Sequence, residues 1–378
     1  MNIYFDNAAT TQLDKRVLEE MIPFMVENYG NPSSIHKHGR EVKASVENSR
    51  NKIADILDVT PGEIFFTSGG TEADNTFLIN AIYSRKIKIA ITSKIEHHAV
   101  LHTLEDLERR NLIKILYVDI DSKGHIDYDH VEKLISSNPK SIVSLMHGNN
   151  EIGNITEIER VAEMCNKNDS IFHSDTVQTI GHFNINLSSK NIHSIVGSAH
   201  KFHGPKGIGF MYINNKIKIP PYIIGGSQER NMRGGTENVS GIIGLSKALE
   251  ITIQEKDETK KHIENLKFNM IDMLKKNIKN LIFNGDCDNL KKSLYHVLSL
   301  SIPKIEDKQM FLFNLDINKI SVSAGSACSS GSSKNSHVLE ELKLENNHSP
   351  VRVSFSKLNT MDEVNYVVKK IAELQKIS

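Results

Sequence analysis

Cysteine is scarce: Cys165, Cys287 and Cys328 are the only three in 378 residues. An odd, sparse count argues against a disulfide framework and fits a reducing compartment. No CxxC pair occurs, so a cysteine-rich zinc or cluster site is not expected. An excess of one charge is also missing, since 46 basic and 46 acidic residues cancel. The chain therefore does not bind a polyanion through bulk charge, although a local basic patch stays open. No apolar run approaches the roughly 18 residues that would span a membrane. The opening MNIYFDNAATT has neither the basic nor the apolar region of a secretory signal. We therefore expect a cytoplasmic protein with no membrane partner. No internal repeat is visible.

What is present is alternation. Short apolar runs at Ile64–Thr67, Ile87–Thr92, Ile115–Asp119, Ile142–His147, Ile171–Asp175, Ser194–Ser198 and Gly209–Ile213 read as strands. Helical patterns lie between most of them, which indicates βαβ units and a mostly parallel sheet buried on both faces. From about Ser240 to Lys276 a Lys- and Glu-rich stretch reads as a long helix with a solvated face. Beyond it, Tyr295–Ile302, Ile320–Ser323 and Val351–Ser356 read as strands. Asp307–Asn314 and Met361–Gln375 read as helices, the latter with an apolar stripe from Val364 to Leu374. We expect a large α/β domain over 15–255. A smaller α+β domain combines 1–14 with 256–378 and carries a mobile loop at about 323–333, SAGSACSSGSS.

Four clusters carry chemistry, each at a strand end, where α/β sheets place ligands. In SAHKFHGPKG, Lys201 follows an apolar strand; a lysine desolvated there becomes an amine nucleophile for an aldehyde. The spacing is not that of a nucleotide P-loop. In TSGGTEADN, glycines turn a strand into a helix whose free N–H groups suit an anion. In FHSDTVQ, Asp175 ends a strand, where a carboxylate needs a cationic partner or serves as a cap. In IEHHAV, His97 can stack on a flat ring or carry protons. His98 and His102 have metal spacing, but no third ligand of fitting spacing follows, so no metal is expected. An imine-forming lysine, an acid, an anion cradle and a ring neighbour are together what pyridoxal 5′-phosphate needs.

The chain resembles the pyridoxal-phosphate cysteine desulfurases of the class-V aminotransferase family. YFDNAATT, GNPSSIHKHGR, TSGGTEADN, IEHHAVL, MHGNNEIG, HSDTVQTIG, SAHKFHGPKGIG, RGGTEN, GSACSSG and VRVSFS occur in family order along nearly the whole chain. The resemblance implies an aspartate aminotransferase-like fold and the removal of sulfur from L-cysteine to give L-alanine. It implies that Lys201 bonds the cofactor aldehyde, Asp175 faces the pyridine nitrogen and His97 stacks on the ring. Gly70, Thr71, Ser198 and His200 would bind the phosphate, and Thr236 that of a neighbouring subunit in a homodimer. Gln178 and Asn150 would lie near the ring hydroxyl and substrate. Arg352 would clamp the substrate carboxylate, and Asn31 is a further substrate contact. Cys328 would accept the sulfur as a persulfide. It would then pass the sulfur to an acceptor such as an iron–sulfur scaffold, touching a cluster metal only during transfer.

Transfer RNA thiolation and DNA sulfur modification use similar enzymes, and no direct nucleic-acid contact is expected. Selenocysteine lyase and a small-amino-acid aminotransferase are the alternatives within the fold. A non-catalytic scaffold should have lost Lys201 or Asp175. Where the family often has Leu-Gly after Arg-x-Ser, this chain has Phe355-Ser356-Lys357. That change is expected to alter the site edge or the subunit contact.

Overall fold

The computed structural model describes residues 2–189, 191–305, 307–325, 336–343 and 348–377. The strands are β1 (Ile3–Tyr4), β2 (Ile64–Thr67), β3 (Ile89–Thr92), β4 (Lys114–Tyr117), β5 (Ile142–Ser144) and β6 (Ile171–Asp175). They continue with β7 (Ser194–Ser198), β8 (Gly209–Ile213), β9 (Ile282–Phe283), β10 (Val297–Pro303), β11 (Ile320–Ser321) and β12 (His348–Ser354).

A seven-stranded sheet runs β2-β8-β7-β6-β5-β3-β4. Its pairs are parallel from β7 to β4, whereas β8 is antiparallel to both β7 and β2. Two antiparallel steps restore direction, so β2, β3, β5, β6 and β7 all end on one edge. Residues of β5, β6, β7 and β8 are buried throughout, as expected where helices cover both faces. Four expected strands match in full. Ile142–His147 is shorter because the ladder stops at Ser144, although His147 N still donates to Asp175 O at 2.9 Å.

The expected long charged helix is two helices, Val239–Gln254 and Lys256–Asn277, meeting at Glu255. The first is packed inside and the second is amphipathic, so no single straight face could serve both. The solvated-face reading also misses Lys267, which is fully buried. Its Nζ donates to Ser293 Oγ at 3.1 Å and Leu294 O at 2.8 Å. Burial lowers its pKa to about 8.

A second sheet, β12-β10-β9, is antiparallel, and β1 pairs in parallel with β11. The last helix, Met361–Ile377, packs Val364, Val367, Val368 and Ile371 into that core. Among the described residues no helix is long and apolar enough to cross a membrane.

One buried ion pair ties the edge strand β2 to a strained turn. Glu229, Arg230 and Asn231 are left-handed in succession, with φ of 44°, 55° and 66°. Such residues cost on the order of 1–3 kcal/mol each. Glu229 offsets this by accepting both Arg50 Nη atoms at 2.8 Å and Phe66 N at 2.8 Å. Arg50→Met strands a buried carboxylate and should lower unfolding free energy by about 3–5 kcal/mol. Lys52→Met, which breaks an exposed pair to Glu250 at 3.7 Å, should cost under ~1 kcal/mol. Urea unfolding of the two variants measures the contrast.

Candidate active site

The shared strand edge opens into a cavity of about 210 Å³. Asp175 ends β6, is 7% exposed, and accepts Val177 N at 2.9 Å through Oδ1. It therefore caps its own turn, and no helix follows it directly. Ser198 ends β7, and the short turn Ala199–Lys201 then swings the lysine inward. Lys201 Nζ donates to Ala8 O at 2.6 Å and Ala9 O at 2.9 Å. The amine is thus aimed by carbonyls of the N-terminal segment.

β2 leads through Gly69 into the helix Gly70–Arg85. A Cβ at Gly70 would stand 2.7 Å from Val177 Cγ2, so a side chain here would push Val177 away. Gly70 and Thr71 put the helix start on the cavity wall, where backbone N–H groups suit an anion. His97 caps the helix His98–Arg109, its Nδ1 accepting Ala99 N at 3.1 Å. Burial lowers its pKa against the pull of Asp175. The ring is thereby favoured neutral, with its remaining proton on Nε2. His200 is hydrogen-bonded to Thr10 Oγ1 at 3.1 Å, and burial lowers it to about 4.

Gln178 Nε2 donates to Ala8 O at 3.0 Å, and its Oε1 faces His296 Nε2 at 3.4 Å. Arg352, on β12, comes from the other sheet and is 2% exposed. Its Nη1 donates to Asn150 O at 2.9 Å and its Nη2 to Asp6 Oδ1 at 2.9 Å. Its Nε has no hydrogen-bond partner among the described residues.

A family model of the class-V aminotransferases matches residues 3–367. The cysteine desulfurase IscS of Dictyoglomus turgidum is 41% identical, the match covering 98% of this chain and 94% of that protein. The putative cysteine desulfurase IscS 1 of Bacillus subtilis is 40% identical over 99% of this chain and 98% of that protein. A solved NifS-like protein superposes with a TM-score of 0.92 at 38% identity, covering 100% of both chains. A structure described as SspA in complex with cysteine gives 0.81 at 28% identity, covering 95% of this chain and 100% of that one. The chain belongs to the class-V aminotransferases, in their cysteine desulfurase group.

That family depends on pyridoxal phosphate, and the residues present fit it. The helix start at Gly70 and Thr71 faces the hollow, the neutral His97 ring offers a face, and Asp175 and Lys201 line the same hollow. Asn150, Gln178, Ser198 and His200 line it too. Thr236 does not; it lies in a separate hollow of about 200 Å³ with Ser68 and Arg233. Asn31 is exposed, accepts Ser33 N at 2.9 Å, and does not line the cavity. Cys328 lies outside the described residues.

The His98–His102 spacing produces a ring stack at 4.5 Å, joined by His337 at 4.4 Å. No metal-capable group of three is found among the described residues.

Two acids, Asp175 and Asp74, line the cavity and a third, Glu96, is buried close enough to act on both, the last two unforeseen. Asp74 Oδ1 lies 3.3 Å from His173 Nε2. Burial raises Asp74 well above the carboxylate range, with Asp175 and Glu96 adding to it. Spacing held the hint for Asp74, which follows Gly70 by one helical turn and so shares its face. Glu96 accepts Met146 N at 3.0 Å and Ser93 Oγ at 3.3 Å. Burial lifts it from 4.5 to about 8.

The folded chain thus holds a proton on Glu96 that the unfolded chain releases near the lower value. Stability from this group is full below it and is lost as pH rises through the upper one. Glu96→Gln removes the dependence. Thermal unfolding from about pH 5 to about pH 9 should fall less steeply for this variant than for the parent, by roughly a few kcal/mol. Parallel curves would show that Glu96 does not hold its proton.

Proposed function

We propose that the protein is a cysteine desulfurase that releases L-alanine from L-cysteine and leaves a persulfide on Cys328. A sulfur-acceptor protein, such as an iron–sulfur scaffold, then takes the sulfur. The observation that carries this reading is the shared cavity. It holds an amine (Lys201), an acid (Asp175), a neutral ring (His97) and a guanidinium with an unpaired Nε (Arg352).

Pyridoxal phosphate, when bound, supplies an aldehyde for the substrate amine and an electron sink for the carbon it activates. Gly70, Thr71, Ser198 and His200 would hold its phosphate, Asp175 would pair with its ring nitrogen, and His97 and Gln178 would contact the ring. Arg352 orients the substrate carboxylate through Nε and Nη2, a fork that suits a planar anion. Asn150 fixes that fork by taking Nη1 on its carbonyl. Lys201 Nζ removes the Cα proton and returns a proton to the product.

Cys328, as thiolate, attacks the substrate sulfur. The Cβ–S bond breaks, an S–S bond forms, and the carbon takes up a proton. L-cysteine and one thiol thus give L-alanine and one persulfide with no outside oxidant. Thr236, on a hollow away from this cavity, serves the phosphate of a second subunit in a homodimer. The proposed division assigns 15–255 to a large domain and 1–14 with 256–378 to a small one; the seven-stranded sheet falls in the first and the β12-β10-β9 and β1-β11 pairings in the second. A reducing cytoplasm suits Cys165 and Cys287, both free and buried.

The test is to load the protein with cofactor, add L-cysteine, and measure alanine and sulfide with and without Cys328→Ser. Alanine release should fall at least about a hundredfold in the variant, with cofactor absorbance retained. Release that survives the change would instead indicate a lyase that needs no protein thiol.

A further inference from the structure

Arg352 is already facing a carboxylate. Asp6 Oδ1 accepts Arg352 Nη2 at 2.9 Å and Ser323 Oγ at 2.7 Å. Ser323 is itself fixed by exchanging main-chain hydrogen bonds with Arg352, at 3.2 and 2.6 Å. Asn150 O takes the other terminal nitrogen. The guanidinium is therefore held at two of its three nitrogens and faces a carboxylate before any ligand arrives. Only Nε, buried with Arg352 at 2% exposure, lacks a partner among the described residues.

We infer that Asp6 is a built-in competitor, a positioning residue whose charge weakens Arg352's grip on the α-carboxylate that substrate and product share. The inference rests on reading Arg352 as the carboxylate clamp. L-Cysteine and L-alanine present the same group to that clamp. Grip beyond what orients the substrate does nothing for the chemical step and slows departure of the product. A like charge beside the clamp loosens both ligands equally, while the acceptor oxygen keeps the guanidinium plane fixed.

The two effects separate in Asp6→Asn, which keeps the oxygen and removes the charge. With the cofactor-loaded enzyme, inhibition constants are measured for L-alanine and for ethylamine, which is alanine without its carboxylate. Asp6→Asn should bind L-alanine roughly fivefold more tightly, lower KM for L-cysteine, and leave ethylamine unchanged. Ser323→Ala removes a hydrogen bond but no charge, and should not tighten L-alanine. L-Alanine binding that is unchanged or weaker in Asp6→Asn, or equal tightening in Ser323→Ala, overturns the inference. Arg352→Ala separates the two levels. If it loses L-alanine while Asp6→Asn does not tighten, the clamp stands and the competitor fails. If it binds L-alanine like the parent, the clamp itself is wrong.

Discussion

The site depends on one stretch of main chain, residues 5–11, lying between the two sheets. Buried main-chain polar groups must find partners, and here the partners are the functional side chains. From the smaller sheet, Ser354 N donates to Phe5 O at 2.7 Å, and Asn7 Nδ2 returns a bond to Ser354 O at 2.8 Å. Toward the larger sheet, Thr11 N donates to His200 O, in the turn after β7, at 2.9 Å. Ala8 O then collects both Lys201 Nζ and Gln178 Nε2, and Asp6 collects Arg352. A shift of this strip would move the amine and the guanidinium together. The Lys201 amine and the Arg352 guanidinium are thus placed by one short segment, the first through its carbonyls and the second through the Asp6 side chain.

Burial sets the charge state around that strip. His97, His147, His173 and His200 are all held below the usual histidine range, with desolvation the largest cause. Asp74 and Glu96 are held above the usual carboxylate range for the same reason. Opposite shifts from one cause leave a wall of neutral hydrogen-bonding groups, in which few full charges remain to act on a ligand. An ionic contact made against such a wall is screened less than one in water.

Much of this was legible in the sequence because the signals were local. Apolar runs gave the large sheet, and the residues at their ends gave Asp175, Lys201, His97 and the Gly70–Thr71 turn, while Ser198 came only from the family resemblance. Asp6 was not legible, because its meaning comes from a residue 346 positions away. Glu96 was passed over beside two histidines, since nothing in IEHHAV says which side chain points inward. Lys267 was assigned to water by composition, yet one lysine in a charged helix can turn inward when a carbonyl such as Leu294 O awaits it. The break at Glu255 was hidden because helical periodicity continues on both sides. Asn31 and Thr236 carry family motifs but lie off this cavity, which a single chain's sequence has no means of separating from the rest.

The departure at Phe355-Ser356-Lys357 shows how such a site tolerates change. The sequence raised the expectation that losing a glycine there would alter either the site edge or the subunit contact. Ser356 is not among the residues of positive φ, so the backbone makes no demand for glycine. Its N donates to Asn359 Oδ1 at 2.8 Å, and its Oγ accepts Leu358 N at 3.3 Å, closing the turn with its own side chain. Lys357 then pairs with Asp14 at 2.9 Å and Glu255 at 2.7 Å. Arg352 is placed upstream of all this, by its register opposite Ser299 in β10 and by the exchange with Ser323. The serine adjusts the turn, and the guanidinium stays where the ladder and Asp6 hold it.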